Sequence, residues 1–497
     1  MIFAAVAALA MPACKKADKK KKADPSAAKT TEKAGAEKEK KAAEPGAVLT
    51  VTSKSPEAVA AFEKGRDLVD NLRAMDAMEH FKKAIELDAD FAQAHAYLGR
   101  ATPGADGAAE LEKAVALAAA LPEAEKTVIQ AMHLQRNGDA AGAMAAWKKA
   151  AELAPGEWRL QLNLGTEANR LGRYADAVPL IEKAREIKPD LAVVHNGLAY
   201  AYAGQAKWDE AIAAAQKQAE LLPKEPNPQD TLGEIYLRAG KFDEAEKAFQ
   251  AALTIEPKFG LAWQGVALAR GYRGDMKGAL EAIDKGVAGA PPQFRGDGLI
   301  DGAWLKLAAG DSKGALADLA AVEKDAALKT TPAPTFAAMD RGHMLEEMGK
   351  HADAAKAYAV GLERSQSLPG QGKGEAAEAA ALGALRSAAL AGKPAADADK
   401  RLAEIEARAA SLADDVPAQS RLAWARGLAA WAKGDAKAAA AEMSKCITTF
   451  VPCRYDLAMA QRKAGDAAAA DATEKEIAAT PMRDMAALYF ASKLAKK

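Results

Sequence analysis

The sequence predicts an all-α fold: a solenoid of stacked helical hairpins behind an N-terminal tether that has no core of its own. Three observations carry this. Ala supplies about a quarter of the 497 residues and aromatic residues only 5%, and Ala, Glu and Lys lose little side-chain freedom in a helix. A 34-residue pattern recurs without a gap through the middle of the chain, as in arrays whose units cannot bury their apolar faces alone. No stretch alternates apolar and polar residues over the length of a strand. Collagen-like, disulfide-dense and mostly β architectures are excluded. The 68 Lys and Arg balance 68 Asp and Glu, so the whole chain leaves no basic footprint for nucleic acid.

Residues 1–14 open with an apolar run, Ile2 to Met11, followed by Pro12-Ala13-Cys14. The run is too short to span a bilayer and has the length of a signal-peptide apolar region. Ala13 directly before Cys14 resembles the lipobox of bacterial lipoproteins, although no Lys or Arg precedes the run and Met11-Pro12 replaces the usual Leu-small pair. The resemblance implies a lipid on the Cys14 thiol and, with Lys15 rather than Asp next, an outer-membrane anchor facing the periplasm. An ordinary signal peptide and a chance apolar start are the alternatives.

Residues 15–55 are Lys, Ala, Glu, Pro, Ser and Thr with almost no large apolar side chain, a composition that does not offset the entropy of ordering. Between 15 and 41 stand 11 Lys against 5 acids. A flexible tether of this length holds a folded body tens of ångströms from an anchor, at roughly 5–6 Å times the square root of its length.

The regular array runs over 56–291. Five windows starting at 124, 158, 192, 226 and 260 carry a turn residue at Gly138, Gly172, Ala206, Gly240 and Gly274. Five residues later each has Ala (143, 177, 211, 245, 279), and each closes on Pro (155, 189, 223, 257, 291). The fullest copy reads Leu232-Gly233, Tyr236, Gly240, Phe242, Ala245, Phe249, Ala252, Pro257. This pattern resembles the tetratricopeptide repeat family, which implies a right-handed α-solenoid of paired helices, A and B. Small residues at the eighth place (Gly165, Ala199, Gly233, Ala267) let helix A approach its partner, and the closing Pro ends helix B. A first repeat starts near 58, and a second, with Pro103-Gly104, has a shortened helix A.

A degenerate array follows over 292–497. Gln293 to Gly298 shifts the register by two, with Gly296-Asp297-Gly298 expected as a turn. Further turns are expected at Gly310, Gly349, Gly392, Gly434 and Gly465, a loop at Ser365–Gly374, and a C-terminal capping helix from Met482.

Reaction chemistry is hard to find. The six His have no His-Glu-x-x-His spacing, no Gly-x-Ser-x-Gly elbow appears, and no Gly-rich phosphate loop follows a strand. The expectation is a non-enzyme without metal or cofactor; a cryptic hydrolase or transferase in 296–497 is the remote alternative. Cys446 and Cys453 form an even set if Cys14 carries lipid, and a disulfide across that turn is geometrically open.

The resemblance also implies a concave wall built from helix A. It includes Arg159, Leu162, Thr166, Asn169 and Arg170; Val193, Asn196 and Tyr200; Asn227, Asp230, Glu234, Leu237 and Arg238; Leu261, Gln264, Leu268 and Tyr272. Polar side chains with aromatic anchors suit an extended peptide or protein segment. Of the set that clamps acidic chaperone tails in some family members, only Asn163 falls in place. The expected role is a lipid-anchored envelope scaffold that binds protein and no nucleic acid, with a cytoplasmic regulatory adaptor as the alternative.

Overall fold

The computed structural model describes residues 46–495 apart from Pro103, Gly289, Thr330 and Pro369. The apolar start, Cys14 and the Lys-rich stretch lie outside the described residues. Among those described there are 25 α-helices and no strand.

The helices form antiparallel pairs in chain order. The N-terminal pairs are α1 (Pro56–Asp70) with α2 (Ala74–Leu87) and α3 (Ala92–Ala101) with α4 (Gly104–Leu117). The central ones are α5 (Glu123–Arg136) with α6 (Ala140–Leu153), α7 (Trp158–Arg170) with α8 (Tyr174–Ile187), and α9 (Ala192–Ala203) with α10 (Trp208–Leu221). They continue as α11 (Pro226–Arg238) with α12 (Phe242–Ile255) and α13 (Gly260–Tyr272) with α14 (Met276–Val287). The C-terminal half holds α15 (Pro292–Ala309) with α16 (Ser312–Lys324), α17 (Ala333–Glu347) with α18 (His351–Ser365), and α19 (Gly370–Leu390) with α20 (Ala398–Ser411). Then come α21 (Val416–Ala432) with α22 (Ala436–Met443), α23 (Val451–Lys463) with α24 (Ala467–Ala478), and a single α25 (Met485–Ala495).

Each hairpin turns on one left-handed residue. Gly138, Gly172, Gly240 and Gly274 have φ between +72° and +86°, and Gly310, Gly349, Gly392, Gly434 and Gly465 repeat the conformation through the degenerate half. The absent Cβ is what makes it inexpensive. Ala206, at φ +53°, adopts it with a side chain. Where Asp follows the glycine it caps helix B: Asp139, Asp275, Asp311, Asp435 and Asp466 each accept the N–H three residues on. The Ala five residues past the turn is completely buried in all five central hairpins. Phe249 shows why neighbouring positions stay small. Its ring lies between Gly233 and Gly265, so closely that a Cβ on Gly233 would stand 2.7 Å from it.

Residues 46–55, counted with the tether on composition, lie against the array. Leu49 is buried, Gly156 N–H donates to Ala47 O at 2.8 Å, and Thr50 and Thr52 hydroxyls donate to Glu125 at 2.5 and 2.6 Å. Hydroxyl and backbone hydrogen bonds hold them there together with Leu49 and Val51, which pack on the N-terminal core. Two glycine-rich stretches also differ from expectation. Gly296-Asp297-Gly298 is helical inside α15, because Gly296 lets α15 approach Ala333 at the start of α17. The loop expected over Ser365–Gly374 is shorter, since α19 already begins at Gly370.

The C-terminal half is tied together by a buried guanidinium. Arg386 on α19 donates to both oxygens of Asp456 on α23 at 2.9–3.1 Å, and to Glu346 and Glu347 on α17 at 2.8 Å. Trp424 Nε1 on α21 donates to Asp456 at 2.9 Å. Burial opposes its charge, but the three carboxylates hold the guanidinium firmly protonated. Cys446, in the turn after α22, is bridged to Cys453, in the first turn of α23, with their Cα atoms 6.5 Å apart.

The array coils back on itself. Val416 N–H at the start of α21 donates to Leu171 O after α7 at 3.1 Å, and Leu412 and Ala418 pack with Ala140 and Leu171. α25 lies across α13, α15 and α23 and buries Met485, Leu488, Tyr489 and Phe490. Gly271 on α13 makes the seat for Leu488, where any Cβ would collide with it. Lys493, near the end of α25, reaches Glu347 at 2.6 Å.

Candidate functional site

Most side chains at the helix A window positions are engaged within the chain, and Leu162, Leu237 and Leu268 are buried in the core. Arg159 on α7 donates to Asp70 on α1 at 2.5–3.3 Å, pairs with Glu157 at 3.1 Å and lies over the Trp158 ring at 4.5 Å. It ties hairpins. Asn163 accepts from Arg100 at 3.3 Å. Asn169 is buried and donates to Gly197 O at 3.0 Å, while its Oδ1 finds no donor. Arg170 pairs with Glu167 at 2.5 Å and stands 3.8 Å from Asp415, on the closing turn before α21. Asn196 donates to Thr231 at 3.2 Å. Asn227 and Val193 are half-buried, and Leu261 is exposed.

The densest group spans α9, α11 and α13. Asp230 and Glu234 stand one turn apart on α11, and the guanidinium between them comes from Arg483, in the non-helical stretch between α24 and α25. Arg483 Nη1 donates to Asp230 Oδ2 at 2.8 Å and to Glu234 Oε2 at 3.0 Å; Nη2 donates to Asp230 Oδ1 and to Leu261 O, both at 2.9 Å. The same guanidinium lies 5.4 Å from the Phe249 ring centroid. Tyr200 donates to Glu234 at 3.1 Å. Tyr272, stacked on Phe242 with ring centroids 5.4 Å apart, reads main chain. Its hydroxyl donates to Met482 O at 3.1 Å and accepts from Met482 N–H at 2.9 Å.

Electrostatics follow from this enclosure. Burial pushes the Asp230 carboxyl above its ordinary value, and Arg483 pulls part of that back. Burial likewise raises the Tyr200 and Tyr272 phenols. Arg238, also on α11, is 5% exposed and stands 3.6 Å from Glu234, while its Nε and Nη2 have no acceptor. Gln264 on α13 donates to Asp301 on α15 at 2.7 Å. Asp301 keeps part of its surface open. Loss of solvation nevertheless raises its carboxyl well above the usual range, opposed by the Gln264 bond and reinforced by Asp297, Asp484 and Asp340.

Window positions found Asp230, Glu234 and Tyr272 but missed Arg483 and Met482. Nothing in Thr480-Pro481-Met482-Arg483-Asp484 marks it locally beyond a short break between helices. Among the described residues no group of three or more His, Cys, Asp or Glu is placed to hold a metal ion, and no helix is long and apolar enough to cross a membrane.

Models of the tetratricopeptide repeat match residues 130–192 and 227–259. The chain carries tetratricopeptide repeats at those residues. The matches cover hairpins whose turn, Ala and Pro positions are most regular. Solved structures to which this repeat protein is similar include MamA, at 25% identity over 32% of this chain and 92% of that one with a TM-score of 0.29. A tetratricopeptide repeat protein from Parabacteroides merdae is 18% identical, covering 52% and 98%, with a TM-score of 0.37. PilW, a type IV pilus biogenesis factor, is 21% identical, covering 42% and 97%, at 0.34. No curated protein matches the sequence.

Proposed function

We propose that this repeat protein is a non-catalytic scaffold that holds an extended segment of another protein along its concave wall. One observation carries the reading: Tyr272 already grips both main-chain polar groups of Met482, its N–H and its C=O, a contact that any polypeptide offers whatever its side chains. Arrays of helical hairpins present such concave surfaces for binding.

The address is the cell envelope, with Cys14 as the lipid attachment. The Cys446–Cys453 bridge supports export, because disulfides persist in oxidising compartments and are rare in the cytosol. A cytoplasmic adaptor is the competing reading, and free thiols in freshly isolated protein would favour it.

Site-specific photo-cross-linking in cells tests the scaffold role. A cross-linker at Asn227 on the concave wall captures another polypeptide, and one at exposed Lys247 on α12 does not. Equal yields from both sites, or none, overturn it. Palmitate incorporation that disappears in Cys14→Ser tests the anchor, and unlabelled wild-type protein would remove it.

A further inference from the structure

We propose that Asp230, Glu234 and Phe249 form a receptor for an arginine carried in an extended segment of a partner protein, and that Arg483 fills it in the free chain. This rests on the scaffold reading and specifies its ligand. The donor set is selective for a guanidinium. Asp230 takes both Nη groups side by side, Glu234 takes a third bond from Nη1, Leu261 O takes a fourth from Nη2, and Phe249 offers its ring face. A planar fork meets all of these together, whereas an ammonium meets only part of them.

The site recognises more than its resident segment supplies. Arg238 lies one turn beyond Glu234 with Nε and Nη2 buried and unpaired. Buried donors are almost always satisfied. A ligand bearing a carboxylate or a main-chain carbonyl beside its arginine would complete the site, and the segment around Arg483 does not reach there. Residues 479–484 are non-helical, the Arg483 side chain keeps 14% of its surface exposed, and Asp484 next to it is exposed. α25 stays seated by Met485, Leu488, Tyr489 and Phe490. Rotation of one side chain therefore opens the pocket without releasing the helix.

The test uses full-length protein and a fluorescent peptide, Ala-Thr-Pro-Met-Arg-Asp-Met, that copies residues 479–485. The peptide is expected to bind Arg483→Gln at least tenfold tighter than wild type. Replacing its arginine by lysine weakens binding about tenfold, and Arg483→Gln combined with Asp230→Asn and Glu234→Gln abolishes it. Arg483→Lys keeps a charge in the pocket and should give the same ranking in smaller steps if the glutamine variant folds poorly. Equal binding to wild type and both Arg483 variants overturns the proposal, as does indifference to lysine in the peptide. A wild-type dimer that dissolves in Arg483→Gln would make the occupant a second copy, and also overturns it. If Asn227 cross-links persist through any of these failures, only the arginine assignment falls; if they are absent too, the scaffold reading falls with it.

Discussion

Asp230 and Arg483 lie 253 residues apart and share two hydrogen bonds, at 2.8 and 2.9 Å. In an array where each hairpin touches only its neighbours, stability is a sum of local terms. This pair, together with the Val416–Leu171 bond and the seat of α25, joins distant hairpins. Unfolding should therefore be more cooperative than a linear solenoid allows.

The Arg386 cluster predicts a large and directional loss. Arg386→Met leaves Glu346 and Asp456 buried without their cation, while Glu347 keeps Lys493, and removing one partner of a buried ionic group costs about 3–5 kcal/mol. Chemical denaturation followed by tryptophan fluorescence is the measure, since Trp424 bonds Asp456 directly. A change below about 1 kcal/mol would mean that the cluster is solvated.

Ala206 predicts a gain. A left-handed backbone costs an L-residue about 1–2 kcal/mol, and glycine removes the clash while adding some unfolded-state freedom. Ala206→Gly should stabilise by about 1 kcal/mol, and Gly240→Ala, at φ +74°, should destabilise. Thermal unfolding of both variants decides it.

The repeat period made these turns legible before any coordinates. A glycine, an Ala five residues on and a closing Pro are local marks, and they located the central hairpins and the later turns at Gly310, Gly349, Gly392, Gly434 and Gly465. Glycine misled at two places: Gly296, expected in a turn, is helical where α15 approaches Ala333, and Gly370, expected in a loop, begins α19. The register located the helix A positions, but not the partners their side chains take up. The pairing of Asp70 with Arg159, or of Asp230 with Arg483, depends on how the array curves, and no short stretch of sequence encodes that.

The bridge between Cys446 and Cys453 closes a short loop, and its loss should cost about 2–3 kcal/mol. Differential scanning calorimetry of the Cys446→Ser/Cys453→Ser double variant should show earlier melting of the α21–α24 region, and reduction of wild type should match it. Unchanged melting in both would contradict the bridge's structural role.

Asp301 predicts a pH dependence with a definite sign. Its folded carboxyl holds a proton more tightly than its unfolded one, so the native state binds more protons between the two values. Stability from this group is greatest below the ordinary carboxylate range and falls as pH rises through the raised value. Asp301→Asn, which can still accept the Gln264 bond, should be more stable than wild type at neutral pH and lose that part of the slope. Parallel melting curves of the two proteins across pH 4–8, on the order of that titration range, would contradict it.

The central claim is that the C-terminal segment docks on α11 through the Arg483–Asp230 pair. A double-mutant cycle with Asp230→Asn and Arg483→Gln, read by denaturant unfolding, tests it most directly. Residues in one ion-pair network couple by about 0.5–3 kcal/mol, and distant sites add independently. A coupling of about 2 kcal/mol is the expected result; strict additivity would show that the two residues never meet.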